Sequence, residues 1–316
     1  MKLFSGIIQA VKGNKIRYIF KSFRVNQWIK NLVVFTAIVF SGELFNLDLF
    51  LSTTYAFFTF ALLSSVSYVL NDIIDYNYDR KHPVKKFRPI ASGKISIQEA
   101  TFLVFVMIII SLLISLFFSL KFFVLCALFI LLHLLYSLYL KKYAVIDILS
   151  ISFSFMIRAF AGEVVSGFHI PVWLTLTIFF AALFIASVKR HAELVVHGTI
   201  TRSSLDYYKE HMLNFLTNTF ATITIISYSL YAYFERIPNI NTPFNEFFNQ
   251  ILPNFEARRW LIITIPFVVY GISRYAQLLY EKEEGERPEK IITKDVPLIT
   301  TIFLWGLTII LLIYVL

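Results

Sequence analysis

The chain reads as an all-α, polytopic membrane protein of about nine transmembrane helices. Three observations predict this class: the composition, the spacing of the apolar runs and the alternation of the basic loops. Hydrophobic residues make up 58% and charged residues 16% of 316 positions, and the mean hydropathy is +0.70. A soluble domain is about half apolar and about a quarter charged, so this excess cannot be hidden in a water-soluble core.

Crossing about 30 Å of hydrocarbon takes roughly 17 to 25 apolar residues. Such stretches lie near residues 28–44, 50–70, 100–119, 121–140, 145–165, 172–188, 212–234, 259–280 and 297–316. Helix is expected in each, because an unpaired backbone amide in lipid costs several kcal/mol. The first stretch follows a long basic segment without a small-residue cleavage site, so a removable signal peptide is not expected. No second, soluble domain is expected either. Residues 1–316 read as a single integral membrane domain, with 1–24 as a basic segment lying in the interface: Phe4 to Phe23 mixes Ile, Tyr and Phe with spaced Lys and Arg. The single cysteine, Cys126, falls inside the fourth stretch, which excludes a disulfide framework and points to apolar packing.

Lysines and arginines gather in every second connection. They occupy the segment from Lys2 to Lys30, Arg80 to Lys94, Lys141 and Lys142, Lys189 to Lys209, and Arg274 to Lys294. The intervening connections hold only Lys121, Arg236, Arg258 and Arg259. The rule of basic cytoplasmic loops then predicts a multi-pass protein of the inner (cytoplasmic) membrane with its N-terminus inside. The net charge of +9 is thereby accounted for by topology and anionic lipid, without a nucleic-acid partner.

The strongest local signal is Asn71-Asp72-Ile73-Ile74-Asp75-Tyr76-Asn77-Tyr78-Asp79-Arg80, where the second apolar stretch meets the cytoplasmic side. If helix continues through it, positions 72, 75 and 79 stand at about 0°, 300° and 340°, an arc of roughly 60°. Three carboxylates so close repel one another, and a hard divalent cation such as Mg²⁺ relieves the repulsion while keeping sites for phosphate oxygens. The plainer alternative is a solvated helix end neutralised by the basic loop behind it. That loop, Lys81 to Gly93 with Lys85 and Arg88, supplies the cations a diphosphate site requires, and this favours the metal reading.

At these residues the chain resembles the UbiA superfamily of membrane prenyltransferases. The Asn-Asp-x-x-Asp-x-x-x-Asp run at 71–79 and Arg-Pro-Ile-Ala-Ser-Gly at 88–93 are similar to that superfamily's first aspartate motif and the loop after it. The resemblance implies a UbiA-like nine-helix bundle with a central cavity in which Mg²⁺, held by Asp72, Asp75 and Asp79, binds a donor diphosphate. A second aspartate-rich motif is typical after the sixth helix, but this chain carries Ser187-Val188-Lys189-Arg190-His191-Ala192-Glu193 there. A Lys and an Arg contact phosphate directly where aspartates would contact it through metal. This departure resembles the branch containing decaprenyl-phosphate phosphoribosyltransferase, which implies 5-phosphoribosyl diphosphate as donor and a polyprenyl phosphate as acceptor. Arg24 to Asn31, Asp147 to Gly162 and Arg274-Tyr275 leading to Asp295 are similar to that branch as well.

Other polar residues take their readings from position. Asp147, Ser150, Ser154 and Arg158 form one stripe on the fifth helix, either an internal ion pair or a binding surface for substrate phosphate. Lys30 and Asn31 stand at the mouth of the first span, where a snorkelling lysine is the ordinary explanation and the resemblance implies phosphate binding. Asn71 and Glu193 join Lys85, Arg88, Asp147, Arg158, Lys189 and Arg190 as expected substrate contacts. None of the six histidines has zinc-site spacing. Two rival readings remain: a prenyl-diphosphate donor on the same fold, and a membrane transporter. Against the transporter, no internal repeat is apparent and the acidic trio sits at a membrane edge.

Overall fold

The computed structural model describes residues 15–82, 84–197, 208–235, 259–281 and 295–315, and those residues contain helices and no strands. The basic residues before position 15, Pro83, Arg202, Arg236, Arg258 and the interior of the acidic-basic loop from Glu281 to Asp295 lie outside the described residues.

The first expected span is a 3₁₀ helix, Val25–Phe35, running into the short α1, Thr36–Phe40. The other eight expected spans appear in order as α2 (Leu47–Ile74), α3 (Ile97–Phe118), α4 (Leu120–Leu138), α5 (Ile146–Ser166), α6 (Val172–His197), α7 (Glu210–Phe234), α8 (Ile265–Glu281) and α9 (Val296–Tyr314). Among the described residues, seven helical stretches are long and apolar enough to cross a membrane: α2 to α6, Trp260–Leu278, and α9. The protein is therefore an integral, multi-pass membrane protein, and the count of nine expected spans is not reached on that criterion. Helix α7 is long enough, but Asn214, Thr217, Asn218 and Thr219 make its first half too polar to qualify.

The helix ends follow the local sequence. Ser96 caps α3 in a capping box, its hydroxyl accepting the Glu99 amide at 3.2 Å while Glu99 accepts the Ser96 amide at 3.2 Å. Ser119 caps α4 by accepting the Phe122 amide at 3.1 Å. Gly167, at φ +77°, ends α5 in the left-handed conformation that glycine adopts without penalty. Asp295 caps α9 by accepting the Leu298 amide at 2.9 Å, and Arg274 in the second half of α8 grips the same carboxylate at 3.2 and 2.8 Å.

The chain divides into two units. The first takes residues 1–32 and 54–141; α3 packs on α4, and Val66, Val69, Ile90, Ile95, Ala100 and Val104 form a core. A helix over residues 15–23 lays Ile19 and Phe23 on that core and leaves Ile16 and Phe20 exposed, and Lys15 pairs with Glu99. Phe60 meets Phe122 and Phe129 edge to face at 6.1 and 5.2 Å. The second unit takes residues 33–53 and 142–316, where α6 packs on α5 and α7. Its core joins Ala37 and Ala159 with Leu174, Tyr228, Tyr231, Leu261 and Ile309.

Small residues let α5 approach the entry segment closely, as helix interfaces in lipid commonly do. A Cβ on Gly162 would lie 2.0 Å from the backbone oxygen of Val34. Because that obstacle is main chain, Gly162→Ala must displace a packed segment, and overpacking of this kind costs about 1–3 kcal/mol. Thermal unfolding in detergent should show a clear drop in Tm for Gly162→Ala and little change for Gly271→Ala, where the added methyl meets nothing.

Candidate active site

The aspartate cluster belongs to the first unit. Helix α2 ends at Ile74, and Asp75 (φ −86°, ψ 6°) separates it from the single turn Tyr76–Asp79. Helical hydrogen bonding nevertheless runs across the break, from the Asp75 amide to Asn71 O at 2.9 Å and from the Asp79 amide to Asp75 O at 2.8 Å. The expected register survives in part. Asp72 and Asp79, the pair predicted about 20° apart, are both buried and share one nitrogen: Arg88 Nη1 lies 3.0 Å from Asp72 Oδ1 and 2.6 Å from Asp79 Oδ2. Asp75, at the edge of the predicted arc, stands apart. It takes Lys141 Nζ at 2.6 Å, and the same ammonium donates to Asn71 Oδ1 at 3.2 Å.

Arg24 adds a second guanidinium to Asp72 Oδ1 at 2.6 Å and lies 5.0 Å from the Tyr68 ring centre. Its φ of +51° is uncommon for a residue with a Cβ. The Asp72 ion pair and the Tyr68 ring contact hold it there. Arg88 is aimed by its surroundings too: the turn Lys85–Phe87 precedes it, and Pro89 after it confines it to the extended conformation observed, φ −63° and ψ 146°. His82 Nδ1 accepts the amides of Val84 and Lys85 at 3.1 and 3.2 Å, so this histidine staples the loop. Lys85 is half-buried behind it, and Asn31, fully buried, accepts the Ser64 hydroxyl at 3.1 Å while its neighbour Lys30 is half-buried.

The second unit holds another buried charge network. Asp147 Oδ2 accepts Arg190 Nε at 2.7 Å, Arg190 Nη1 pairs with Glu193, and the Tyr208 hydroxyl donates to Asp147 Oδ1 at 2.7 Å. Burial, then the Asp147 charge, push the Tyr208 phenol well above its usual range, so it stays a donor. Tyr208 in turn accepts the Val145 amide at 2.6 Å. The predicted stripe on α5 is present, with Asp147, Ser150, Ser154 and Arg158 all buried. Along it, Arg158 donates to Ser154 O and Oγ at 2.9 and 3.1 Å, and Asp147 takes a cation, Arg190, from α6. Lys189 and Arg190 differ as well. Arg190 is 1% exposed and ion-paired, whereas Lys189 and Glu193, four residues apart on α6, are only half-buried.

Among the described residues no three His, Cys, Asp or Glu side chains converge as a metal cage. Mg²⁺ seldom needs one, since it is usually held by one or two carboxylates with substrate phosphates and water completing the shell. Asp72 and Asp79 supply two hard oxygens facing a common point that Arg88 Nη1 takes here, so the donor set fits such an ion. Arg24, Lys141 and Tyr208 belong to these networks although sequence reasoning gave them no site role. The spacing of Arg24 and Lys141 from the aspartates they bind, 48 and 66 residues, carries no local signal.

The described residues form an all-helical, multi-pass membrane protein with a cation-ringed aspartate pair at the end of a span, and its named relatives are transferases. The chain belongs to the UbiA prenyltransferase family, whose profile matches residues 32–192. It is 35% identical over 290 residues to a protein of Mycolicibacterium smegmatis named decaprenyl-phosphate phosphoribosyltransferase, covering 89% of this chain and 88% of that one. A protein of the same name from Corynebacterium glutamicum is 31% identical over 303 residues, covering 93% and 86%. Among solved structures, a UbiA homolog from Archaeoglobus fulgidus bound to DMAPP and Mg²⁺ superposes with a TM-score of 0.66 at 16% identity, covering 94% of this chain and 99% of that one. That likeness shows the fold.

Removing Arg88 leaves two buried carboxylates short of a cation. Loss of one partner of a buried pair costs about 3–5 kcal/mol, and the low end is expected because Arg88 is itself 25% exposed. Arg88→Ala should therefore lower Tm in detergent strongly, and Arg80→Ala, at an exposed position, should leave it nearly unchanged.

Proposed function

We propose that this protein transfers 5-phosphoribose from 5-phosphoribosyl diphosphate to a polyprenyl phosphate in a Mg²⁺-dependent reaction that releases diphosphate. The observation that carries this reading is the similarity, across nearly the whole chain, to proteins named decaprenyl-phosphate phosphoribosyltransferase. The residues at Lys189 and Arg190 agree with it, since cations there suit a donor richer in phosphate than a prenyl diphosphate. The site lies on the cytoplasmic side of the inner membrane, on the argument from basic loops.

In the reaction an oxygen of the lipid phosphate bonds to the ribose anomeric carbon as the bond from that carbon to diphosphate breaks. The electron pair departs with the diphosphate. A phosphate nucleophile is ionised at neutral pH, so the protein must position it and screen charge, and no general base is needed. Asp72 and Asp79, with Asp75 beside them, would hold Mg²⁺, which when bound would neutralise the charge of the leaving diphosphate. Arg88 and Arg24 are placed to exchange carboxylate oxygens for phosphate oxygens, as guanidinium groups do with little geometric cost. Within the first unit, Lys85 and Asn71 stand on the same loop and helix end, and Lys30 and Asn31 on the entry helix; within the second, Lys189, Glu193 and Arg158 are the groups suited to substrate phosphate, and Arg190 pairs with Glu193.

Purified protein incubated with radiolabelled 5-phosphoribosyl diphosphate, polyprenyl phosphate and Mg²⁺ should yield a labelled lipid; turnover of a prenyl diphosphate instead would refute the donor assignment. Asp75 is the most exposed of the three aspartates, at 25%, so Asp75→Ala should fold normally. Its turnover should drop at least about a hundredfold, the scale expected when a group stabilising developing charge is removed. Full activity in that variant would count against the metal assignment.

A further inference from the structure

Helix α5 begins with a strained residue. Val145 has φ +67° and ψ −44°, and the Ile146 amide donates back to Ala144 O at 2.8 Å. This is a γ-turn of the rare, strained hand, and a β-branched side chain suits it poorly. Such an outlier persists only where the surroundings over-determine it, which motivates a search for its use. The Val145 amide is held by the Tyr208 hydroxyl at 2.6 Å, and that hydroxyl donates to Asp147 Oδ1 at 2.7 Å. The same oxygen accepts the Ile148 amide at 2.9 Å. Asp147 is thus locked in the first turn of α5 with its other oxygen turned to Arg190 at 2.7 Å, and Arg190 continues to the half-buried Glu193. Tyr208 reaches this relay from outside α5 and α6, two residues before α7 begins.

We propose that Tyr208 is a positioning residue for diphosphate binding: its hydroxyl clamps the strained turn at Val145 and so fixes Asp147, Arg190 and the Lys189–Glu193 face of α6. A structural strut would have no need of a strained valine, because glycine would make the same turn freely. A clamp that holds a turn against its preference gives a defined position that is lost when the clamp is removed. The inference rests on the diphosphate-handling part of the function proposed above and is independent of which group that diphosphate carries.

The test uses the full chain in detergent or nanodiscs, with Mg²⁺ and inorganic diphosphate titrated calorimetrically and phosphoribosyl transfer assayed in parallel. Tyr208→Phe should weaken Mg-diphosphate binding about tenfold, which is about 1.4 kcal/mol, and raise KM for the sugar donor similarly while KM for the polyprenyl phosphate stays within about twofold. In the double variant Tyr208→Phe with Val145→Gly, the turn forms without its clamp, and most of the affinity should return. Wild-type affinity in Tyr208→Phe, a Tyr208→Phe chain that does not fold, or a double variant no better than the single would each overturn the proposal. If the wild type makes no labelled lipid yet binds Mg-diphosphate in a Tyr208-dependent way, the donor assignment fails and the positioning role stands.

Discussion

Two carboxylates removed from water at the end of a membrane span must be neutralised, and the first unit is arranged around that requirement. Asp72 and Asp79 are 2% and 3% exposed, and a bare charge in such surroundings costs several kcal/mol even after relaxation. Arg88 answers both with one nitrogen, Arg24 adds to Asp72, and Lys141 answers Asp75. The Arg88–Pro89 junction, the left-handed Arg24 and the uninterrupted hydrogen bonding through Asp75 all serve this placement. A loop that would otherwise be free to wander is therefore tied to the helix end by charge.

The second unit meets the same requirement in another way. Asp147 and Arg190 are buried almost completely, and the tyrosine hydroxyl together with a backbone amide completes the coordination of the carboxylate. A lone arginine at this depth would be costly, and pairing with fixed hydrogen bonds makes it tolerable. Further along the unit, Trp305 Nε1 donates to Tyr228, whose hydroxyl meets Thr264 at 2.6 Å, so polar groups among apolar helices are satisfied pairwise there too.

Much of this was legible in the sequence, and what was missed has a physical reason. Eight of the apolar stretches became helices in the expected order because backbone in lipid has few alternatives. The first became largely 3₁₀, a choice of hydrogen-bond register to which hydropathy is blind. Helical angles set all three aspartates in one arc, since i, i+3 and i+7 spacing is local geometry; in the structure Asp72 and Asp79 share Arg88, while Asp75 turns to Lys141. The partners of these acids were not legible, because Arg24, Lys141, Arg190 and Tyr208 stand 43 to 66 residues from the aspartates they bind. The stripe on α5 was read as one unit, yet its two ends serve different neighbours.

Inside the aspartate cluster three acids face three bases, so at a distance their fields cancel. What reaches beyond it comes from exposed cations just outside, Arg80, Lys81 and Lys86 among them. Attraction of an anion from bulk water and retention of that anion once seated are thus the work of different residues, the first shielded by dissolved ions within about 10 Å and the second largely sheltered from them. Raised ionic strength would slow arrival while leaving residence time almost untouched.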